Sequence, residues 1–268
     1  MGSLLIRFMP TTLITGGSSG IGLALSRALA ARGHRLLWVA LEAAELEAAR
    51  ADLQVAFPQL EVHTYACDLS AAGAAQEVHL WTRDLGFPVD LLINNAGFGS
   101  SGFIDETDPE HELAMLRLHV QTLYSLTRYF LRDMLIRGAG RIINLASISA
   151  YAPTPGLATY AASKAFVMQF SLAIDYELRR RQSPVRVLTV CPTPVRTGFA
   201  RRASMEDSPL FNSWMRVSPE TVARDTLRAL DRGRSVVIPH RGLQLLHRFV
   251  SRLPQRWLIW FAAREMGF

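Results

Sequence analysis

The sequence predicts an α/β fold in which seven parallel strands form one doubly wound sheet within a single domain. Short apolar runs, rich in β-branched residues, alternate with stretches whose apolar residues recur at helical spacing. The runs are mostly continuous, as expected of parallel strands that helices cover on both faces. Strand and helix alternate seven times, which favours a doubly wound sheet. Such sheets bind ligands at the carboxyl ends of their strands, so the residues that follow each strand form the candidate site.

Seven apolar runs are the expected strands: Thr11–Thr15, Leu36–Ala40, Glu61–Cys67, Leu91–Asn94, Arg141–Ala146, Val185–Cys191 and Ser235–Pro239. Two long helices are expected at Glu110–Ile136 and Ala158–Arg180, where apolar residues form stripes at helical spacing. We assign residues 1–241 to the sheet domain and residues 242–268 to an amphipathic C-terminal helical extension of the same domain.

Composition limits the classes of protein to which the chain can belong. Of its 268 residues, 49% are hydrophobic and 19% are charged, which allows a sizeable core and argues against extensive disorder. No run approaches the ~20 apolar residues of a membrane-spanning helix. The first ten residues hold too short an apolar run for a secretory signal. We therefore expect a cytoplasmic protein.

Charge and cysteine content exclude further classes. The net charge is +6, but no nucleic-acid-binding motif is present, so no nucleic-acid partner is expected. The basic balance then favours an anionic cofactor or an anionic membrane surface. Neither Cys67 nor Cys191 has a second Cys or a His at metal-ligand spacing. We therefore expect no metal site and interpret both cysteines as small core residues.

A glycine-rich turn follows the first strand, with the sequence Thr15-Gly16-Gly17-Ser18-Ser19-Gly20-Ile21-Gly22. A turn of this kind that leads into a helix lets backbone amides approach a pyrophosphate, and the helix N-terminus adds partial positive charge. We interpret it as the phosphate-binding loop of a Rossmann-type dinucleotide site, with an ordinary flexible loop as the alternative. The candidate binding residues are Gly16, Ser18, Ser19, Gly20, Ile21 and Gly22.

The second strand ends at Ala40-Leu41-Glu42. A site specific for NAD(H) usually places a carboxylate there to bind the ribose 2′-hydroxyl, and neither Ala40 nor Leu41 supplies one. Glu42 comes slightly late and can instead begin the next helix. The missing acid favours NADP(H) as cofactor, with NAD(H) as the alternative, because no Arg stands there to bind a 2′-phosphate either.

Two further strands end in candidate cofactor-binding residues. Asp68 and Leu69 follow the third strand, where the carboxylate could accept a hydrogen bond from an adenine amino group. A turn or helix-cap aspartate is the alternative for Asp68. The fourth strand ends in Asn95, Ala96 and Gly97, whose small size lets the chain pass close to a cofactor.

The fifth strand precedes the residues that carry chemistry, Ser147, Tyr160 and Lys164. Residues four apart share one helix face, so Tyr160 and Lys164 lie side by side. A free tyrosine has a pKa near ~10, and lowering it by ~3 units requires about 4 kcal/mol. A lysine cation ~5 Å away supplies roughly 3 kcal/mol at an effective dielectric near ~20. The pair is therefore a candidate acid–base catalyst, with an ordinary surface Tyr and Lys as the alternative.

Taken together, these motifs resemble the classical short-chain dehydrogenase/reductase superfamily over nearly the whole chain, from Thr11 to about Pro239. The matching residues are Thr15, Gly16, Gly20, Gly22, Asp68, Asn94, Asn95, Ala96, Gly97, Ser147, Tyr160 and Lys164. The resemblance implies that Tyr160 exchanges a proton with the substrate oxygen and that Ser147 orients that oxygen. It also implies that Tyr160 and Lys164 contact the cofactor, that Lys164 binds the nicotinamide ribose and that Lys164 lowers the pKa of Tyr160.

The resemblance also assigns the segment after the sixth strand, Cys191–Thr197, to the neighbourhood of the nicotinamide. Pro192, Val195 and Thr197 are the cofactor-binding residues that it implies there. The chain departs from the family pattern at Thr193, where the family mostly has Gly.

A second departure lies on the long helix before the fifth strand. At the position where the family usually has an Asn that holds a water of a proton relay, this chain has His119. An imidazole can hold the same water and titrates near neutral pH, which makes His119 a candidate catalytic residue. A packed histidine without a catalytic part is the alternative.

The C-terminal third suggests an apolar substrate. The segment from Gly198 to Val217 carries aromatic and methionine residues and is expected to close the substrate pocket, or else to pack on its own core. In residues 242–268, apolar and aromatic residues are interleaved with arginines, a pattern that fits either a membrane interface or a helix packed on its own domain. Membrane contact would make a lipid-like carbonyl substrate more plausible.

The leading hypothesis from the sequence is an NADP(H)-dependent oxidoreductase that interconverts a ketone and a secondary alcohol, with a hydrophobic small-molecule substrate. A nucleotide-binding regulatory or scaffold protein with weakened catalysis is the second hypothesis. A peripheral membrane protein, attached through the C-terminal helices, is the third. By resemblance, we expect a homodimer or homotetramer that pairs the two long helices across a two-fold axis.

Overall fold

In the computed structural model, which describes residues 9–199, 216–240, 242, 244 and 254–266, seven strands form one parallel sheet. They are β1 (Thr11–Thr15), β2 (Arg35–Ala40), β3 (Val62–Ala66), β4 (Val89–Asn94), β5 (Arg141–Leu145), β6 (Arg186–Val190) and β7 (Val236–Val237). The order across the sheet is β3-β2-β1-β4-β5-β6-β7. Each expected strand is confirmed to within two residues at either end. The order reverses between β1 and β4, and this switch point opens a crevice at the carboxyl edge.

Helices follow most of the strands and cover the sheet. They are α1 (Gly20–Ala30), α2 (Ala43–Ala56), α3 (Ala74–Asp84), α4 (Pro109–Leu116), α5 (Leu123–Arg137), α6 (Ala158–Arg180), α7 (Pro219–Asp231) and α8 (Gln255–Met266). A short 3₁₀ turn spans Ile148–Tyr151. Neighbouring residues of β1 belong to different apolar clusters, since Leu13 lies in one and Ile14 in the other. Both faces of the sheet are therefore buried, which is why its strands read as continuous apolar runs.

The long helix expected at Glu110–Ile136 is confirmed as one continuous helical stretch, Pro109–Arg137, but its middle part is π-helical. Between α4 and α5 the chain forms a π-helical segment, Arg117–Thr122. A π turn inserts one extra residue per turn and rotates the side chains that follow it. The hydroxyl of Thr122 donates a hydrogen bond to the carbonyl of Leu69, 2.7 Å away, and His119 points into the protein. The other long helix, Ala158–Arg180, is confirmed as α6.

Two expectations fall largely outside the described residues. Of the segment between Gly198 and Val217 that was expected to cover the substrate pocket, residues 200–215 lie outside them. Of the C-terminal extension, only residues 242, 244 and 254–266 are described. Among the helices that the structure does describe, none is long and apolar enough to cross a membrane.

Candidate active site

The residues that follow the strands meet in one cleft of about 640 Å³ at the carboxyl edge of the sheet. The sequence-predicted site residues along it are Gly16, Ser18, Ser19, Gly20, Ile21, Asp68, Leu69, Asn95, Ala96, Gly97, Ser147, Tyr160, Lys164, Pro192, Val195 and Thr197. Two predicted residues do not line it. Gly22 lies beneath the glycine-rich loop, and His119 lies behind the wall that Gly97 forms.

The glycine-rich loop turns sharply from β1 into α1, and Gly22 makes that turn possible. A Cβ at position 22 would lie 1.9 Å from the carbonyl oxygen of Gly16. The loop can therefore fold back on the first turn of α1 only if residue 22 has no side chain. Because the first turn of α1 contains no acidic residue, its backbone amides and the helix dipole present uncompensated positive charge to the cleft.

Two residues fasten this loop to the end of β4, and their contribution is to position it. The side-chain amide of Asn95 donates hydrogen bonds to the carbonyls of Thr15 and Gly16, at 2.9 and 3.1 Å. The hydroxyl oxygen of Thr15 accepts hydrogen bonds from the backbone amides of Asn95 and Ala96, both at 2.9 Å. Asn95 therefore holds the glycine-rich loop in position through its side chain. The sequence predicted a cofactor-binding residue here but could not show this structural role.

At the other end of the cleft lie the residues that follow β2 and β3. One carboxylate oxygen of Asp68 accepts hydrogen bonds from the backbone amide and the hydroxyl of Ser70, at 2.8 and 2.7 Å. Asp68 therefore stabilises a turn while also lining the cleft. Ala40 and Leu41 line the same end with apolar side chains, and Glu42 adds a carboxylate beside them, where the sequence left the choice between the two cofactors open.

The three candidate catalytic residues lie together. Ser147 follows β5 and forms a hydrogen bond with the side chain of Tyr160, which is half-buried in the first turn of α6. Lys164 lies one turn further along α6 with its amine 5.8 Å from the centre of the Tyr160 ring. That amine donates a hydrogen bond to the carbonyl of Leu145, 3.1 Å away. The spacing of four residues on one helix face thus brings the phenol and the amine to the same wall.

Burial shifts both groups towards their neutral forms. Desolvation raises the pKa of Tyr160 to about 12, and the hydrogen bond with Ser147 opposes that shift only in part. Desolvation also lowers the pKa of Lys164 to about 8, with the thiol of Cys191 acting in the opposite direction. The charged form of each group loses solvation inside the protein, which is the physical cause of both shifts.

This result corrects the expectation that Lys164 lowers the pKa of Tyr160. The structure contains the pair as expected, but the pKa of the phenol is raised, because burial outweighs the hydrogen bond with Ser147. At neutral pH the phenol therefore keeps its proton and the amine remains a cation.

His119 is buried on the π-helical segment, with 1% of its surface exposed. Its Nδ1 atom lies 2.9 Å from the hydroxyl of Ser163, and its Nε2 atom is buried with no hydrogen-bond partner. Desolvation and the charge of Lys164 hold the pKa of the imidazole well below its ordinary value. His119 is therefore neutral at physiological pH, which corrects the expectation of an imidazole that titrates near pH 7.

The segment after β6 lines the cleft beside the turn that carries Ser147. The amide of Ile148 donates a hydrogen bond to the carbonyl of Pro192, which ties this segment to the turn that carries Ser147. Thr197 lies against the glycine-rich loop, since a Cβ on Gly20 would be 3.0 Å from its methyl group. Thr193, the departure from the family pattern, is buried in the same segment.

Comparison with known proteins identifies this arrangement. Residues 10–208, the greater part of the chain, match the short chain dehydrogenase family. The chain belongs to this family. It is therefore an oxidoreductase that acts on alcohols or ketones, and the first sequence-based hypothesis is confirmed at that level.

The relatives of this short-chain dehydrogenase are named for different substrates. The chain is 35% identical over 209 residues to a galactitol 2-dehydrogenase (L-tagatose-forming) from Cereibacter sphaeroides, covering 77% of this chain and 79% of that one. It is 33% identical over 169 residues to a very-long-chain 3-oxoacyl-CoA reductase from Phaeosphaeria nodorum, covering 62% of this chain and 50% of that one. The names of the relatives therefore do not agree on one substrate class.

Among solved structures, a short-chain dehydrogenase from Sphingobium yanoikuyae in complex with NADPH is similar over 92% of this chain and 97% of that one. The two share 28% of their residues, and the TM-score is 0.79. The similarity extends over the sheet and its helices, so the doubly wound fold predicted from the sequence is confirmed.

Proposed function

We propose that this short-chain dehydrogenase reduces hydrophobic ketones with NADPH, with NADH as the alternative cofactor and oxidation of the corresponding secondary alcohols as the reverse reaction. The observation that carries the proposal is the meeting of Ser147, Tyr160 and Lys164 in a cleft that also contains the glycine-rich loop. The complete set of acid–base residues favours an enzyme over a regulatory nucleotide-binding protein.

The residues of the cleft fit a nicotinamide dinucleotide. The glycine-rich loop and the first turn of α1 offer amides and positive charge to a diphosphate. Lys164 would bind hydroxyls of the nicotinamide ribose, and Pro192, Val195 and Thr197 would flank the nicotinamide ring. Asp68 would face the adenine at the opposite end. The NADPH complex of the similar Sphingobium enzyme supports this choice of cofactor.

The preference for NADP(H) rests on the end of β2. No carboxylate stands at Ala40 or Leu41 to bind a ribose 2′-hydroxyl, which disfavours NAD(H). Glu42 and Glu45 line the cleft nearby, and their charge would weaken the binding of a 2′-phosphate. We therefore expect a modest preference for NADP(H) and measurable use of NAD(H).

The mechanism follows from the protonation states in the site. When bound, the nicotinamide supplies the hydride. Tyr160 keeps its proton at neutral pH and can donate it to the substrate oxygen as charge develops there. Ser147, which already contacts the phenol, would orient the same oxygen, and the Lys164 cation would stabilise negative charge on the pair. Oxidation needs the phenolate, which the raised pKa of Tyr160 disfavours at neutral pH, so alcohol oxidation should require a higher pH than ketone reduction.

The lining of the cleft supports a hydrophobic substrate. The ring of Phe199 lies 5.7 Å from that of Tyr160, between ring centres. Phe98, Leu118 and Leu157 line the same cleft. Burying apolar surface of a substrate against these side chains would contribute about 25 cal/mol per Å². A ketone with an alkyl or aromatic substituent fits this surface better than a polyol does.

Peripheral contact with a membrane is a further part of the proposal. On α8, Trp257, Trp260 and Phe261 share one face at helical spacing, and each is about half exposed. The guanidinium of Arg264 lies 5.7 Å from the centre of the Trp260 ring. Exposed tryptophans with a neighbouring arginine suit the interface of an anionic bilayer, because the rings can insert while the long arginine side chain reaches the headgroups. Co-sedimentation with anionic liposomes, for the full chain and a chain ending at Gly242, tests this part; equal, weak binding by both would contradict it.

A cofactor titration tests the central proposal. Intrinsic tryptophan and NAD(P)H fluorescence, measured with NADPH, NADH, NADP⁺ and NAD⁺, should show binding, with NADPH bound more tightly than NADH. Oxidation of NADPH should then follow the addition of aryl and long-chain alkyl ketones more readily than that of polyhydroxylated ketones. Failure of all four cofactor forms to bind would contradict the proposal.

The variant Tyr160→Phe tests the assignment of the acid. Because general acid catalysis contributes typically 10²–10⁴-fold, we expect a loss of about that size in kcat for ketone reduction. The fluorescence titration with NADPH should stay close to that of the wild type, because Lys164 and the glycine-rich loop are unchanged. A variant that kept its full activity would require a different proton donor.

A further inference from the structure

In the loop that follows β3, one peptide group is held at both of its ends. Its carbonyl, which belongs to Leu69, accepts a hydrogen bond from the hydroxyl of Thr122, at 2.7 Å. Its amide, which belongs to Ser70, donates a hydrogen bond to Oδ1 of Asp68, at 2.8 Å. A peptide group is planar, so its C=O and N–H turn together. The Thr122 hydroxyl therefore helps to fix the direction of the Asp68 carboxylate.

The Asp68 carboxylate has one oxygen left for a ligand. The residue is exposed and lines the cleft at the end expected to hold the adenine. Oδ1 accepts a second hydrogen bond, from the hydroxyl of Ser70 at 2.7 Å, whereas Oδ2 has no hydrogen-bond partner among the residues that the structure describes. A carboxylate can only accept, so a ligand at Oδ2 must bring a donor. The exocyclic amino group of adenine is such a donor.

Thr122 reaches this loop from the π-helical segment, Arg117–Thr122. It is 6% exposed and does not line the cleft, so it acts on a bound cofactor only through its neighbours. Each residue of a helix changes the side-chain direction by about 100°, so one inserted residue decides which side chain faces the loop. Leu118, from the same segment, lines the cleft and belongs to the same buried apolar cluster as Leu69.

We propose that Thr122 is a positioning residue that makes the cleft selective for adenine. Through the peptide group between Leu69 and Ser70, it orients the Asp68 carboxylate towards the exocyclic amino group of the base. Without the hydroxyl, the Leu69 carbonyl loses its partner, and the peptide group can turn and move the carboxylate. The inference deepens the proposed function, on which it rests, by assigning selectivity for the base to a residue outside the cleft.

Selectivity for the base can be measured with nucleoside diphosphates, without nicotinamide or turnover. Adenosine diphosphate (ADP) carries the amino group, whereas inosine diphosphate (IDP) has an oxygen acceptor at that position. Calorimetric titration of the wild type should show ADP bound about tenfold more tightly than IDP, because only ADP can donate to the carboxylate. In Thr122→Val, which keeps the shape of the side chain but removes its donor, the ratio should fall to about twofold. Thr122→Ser, which keeps the hydroxyl, should retain the ratio of the wild type.

Two features of this design separate orientation of the carboxylate from general loss of structure. ADP and IDP carry the same diphosphate, so a change in the glycine-rich loop alters both affinities equally and cancels from their ratio. Thr82→Val is the matched control, because the hydroxyl of Thr82 is also buried and donates to a backbone carbonyl, that of His79, at 2.8 Å. Thr82 does not line the cleft, so this variant should leave the ratio unchanged.

The loop itself can be examined without any nucleotide, by hydrogen exchange of residues 68–73 followed by mass spectrometry. Exchange should be about fivefold faster in Thr122→Val than in the wild type, because the peptide group is held at one end only. Exchange in Thr82→Val should match the wild type. Unchanged exchange in Thr122→Val would overturn the proposal, since the loop would then not depend on this hydroxyl.

The outcomes distinguish this inference from the proposed function. A Thr122→Val protein with the ADP-to-IDP ratio of the wild type would overturn the inference, and so would a wild type that binds both nucleotides equally. Neither result would contradict ketone reduction with NADPH. Conversely, a protein that selects ADP through Thr122 but reduces no ketone would support the inference and contradict the proposed function.

Discussion

At the scale of single residues, the site places a phenol with a raised pKa beside an amine with a lowered pKa. Burial raises the pKa of Tyr160 to about 12 and lowers that of Lys164 to about 8. The site is thus prepared to give a proton at neutral pH, and reversal of the reaction depends on positive charge brought by the oxidised cofactor. The spacing of the two residues was visible in the sequence, but their protonation depends on burial, which the sequence does not show.

One residue-scale prediction concerns the choice of cofactor. Leu41 lies at the end of the cleft beyond β2 and is largely exposed. The variant Leu41→Arg places a guanidinium beside the expected 2′-phosphate, and a charge-assisted pair worth about 1.4 kcal/mol changes affinity about tenfold. We expect the Kd ratio of NADH to NADPH to rise by about that factor in a fluorescence titration. The variant Leu41→Gln is the uncharged control, and an equal rise in both would contradict the electrostatic explanation.

At the scale of elements, the cleft depends on two loops that hold each other. Thr15 and Asn95, at the ends of β1 and β4, exchange hydrogen bonds that define the glycine-rich loop. The sequence marked both as parts of motifs, and parallel strands made their proximity predictable. The sequence could not predict that Asn95 holds the loop in place, because this role depends on hydrogen bonds between particular atoms of residues that are 80 positions apart.

The variant Gly22→Ala should disrupt this loop. Its Cβ would lie 1.9 Å from the Gly16 carbonyl oxygen, so the loop must move away from α1. We expect cofactor affinity to fall by at least about 100-fold, since the amides lose their alignment with the diphosphate. The variant Gly33→Ala, in a turn with open space and a positive φ, is the control: it should cost about 1 kcal/mol of stability and leave affinity unchanged.

The π-helical segment is the element that sequence analysis missed. Helical periodicity predicts a continuous helix across Arg117–Thr122 because the pattern continues on both sides. The extra residue is stabilised by contacts from distant parts of the chain, including the hydrogen bonds of Thr122 to Leu69 and of Asn94 to Thr127. The sequence pointed to His119 but not to Ser163, its hydrogen-bond partner 44 residues away. No sequence motif links the two positions, so their contact could be found only from the structure.

At the scale of the whole molecule, the site lowers the stability of the fold that contains it. The folded-state pKa of Lys164 lies below the ordinary 10.5, so burial of its charge opposes folding. The penalty is full below about pH 8, where the lysine is protonated in both states. It diminishes as the pH rises from about 8 towards 10.5, where the folded protein has already lost the proton.

The variant Lys164→Met should therefore be more stable than the wild type at pH 7. The pKa difference corresponds to about 3 kcal/mol, from which the lost hydrogen bond to Leu145 removes about 1 kcal/mol. We expect a gain of about 2 kcal/mol in the free energy of unfolding by urea, together with loss of activity. The gain should shrink between pH 8 and pH 10, and a gain independent of pH would show that packing, not charge, is its cause.

Assembly is a second property of the whole molecule, and the homodimer or homotetramer expected from the sequence remains a prediction. Tyr124 on α5 packs against Phe170 of α6, with ring centres 5.5 Å apart, and is 39% exposed. An exposed aromatic surface across two helices suits a two-fold interface. We expect sedimentation to show a dimer or tetramer that Tyr124→Asp dissociates. Val55→Asp, at an exposed position on α2, should leave the mass unchanged, and a monomeric wild type would contradict the prediction.

The only ε-amine of the chain lies inside α6, with 5% of the residue exposed. For a lysine-specific endoprotease, the folded protein therefore hides its single cleavage site, and the unfolded chain presents it. A cut after Lys164 yields two fragments, of 164 and 104 residues, that are easily told apart on a gel. Because the bond is cleaved only when α6 opens, the rate of this one cut measures how often the catalytic helix leaves the sheet. A bound cofactor that holds the helix in place should slow it in proportion to its occupancy.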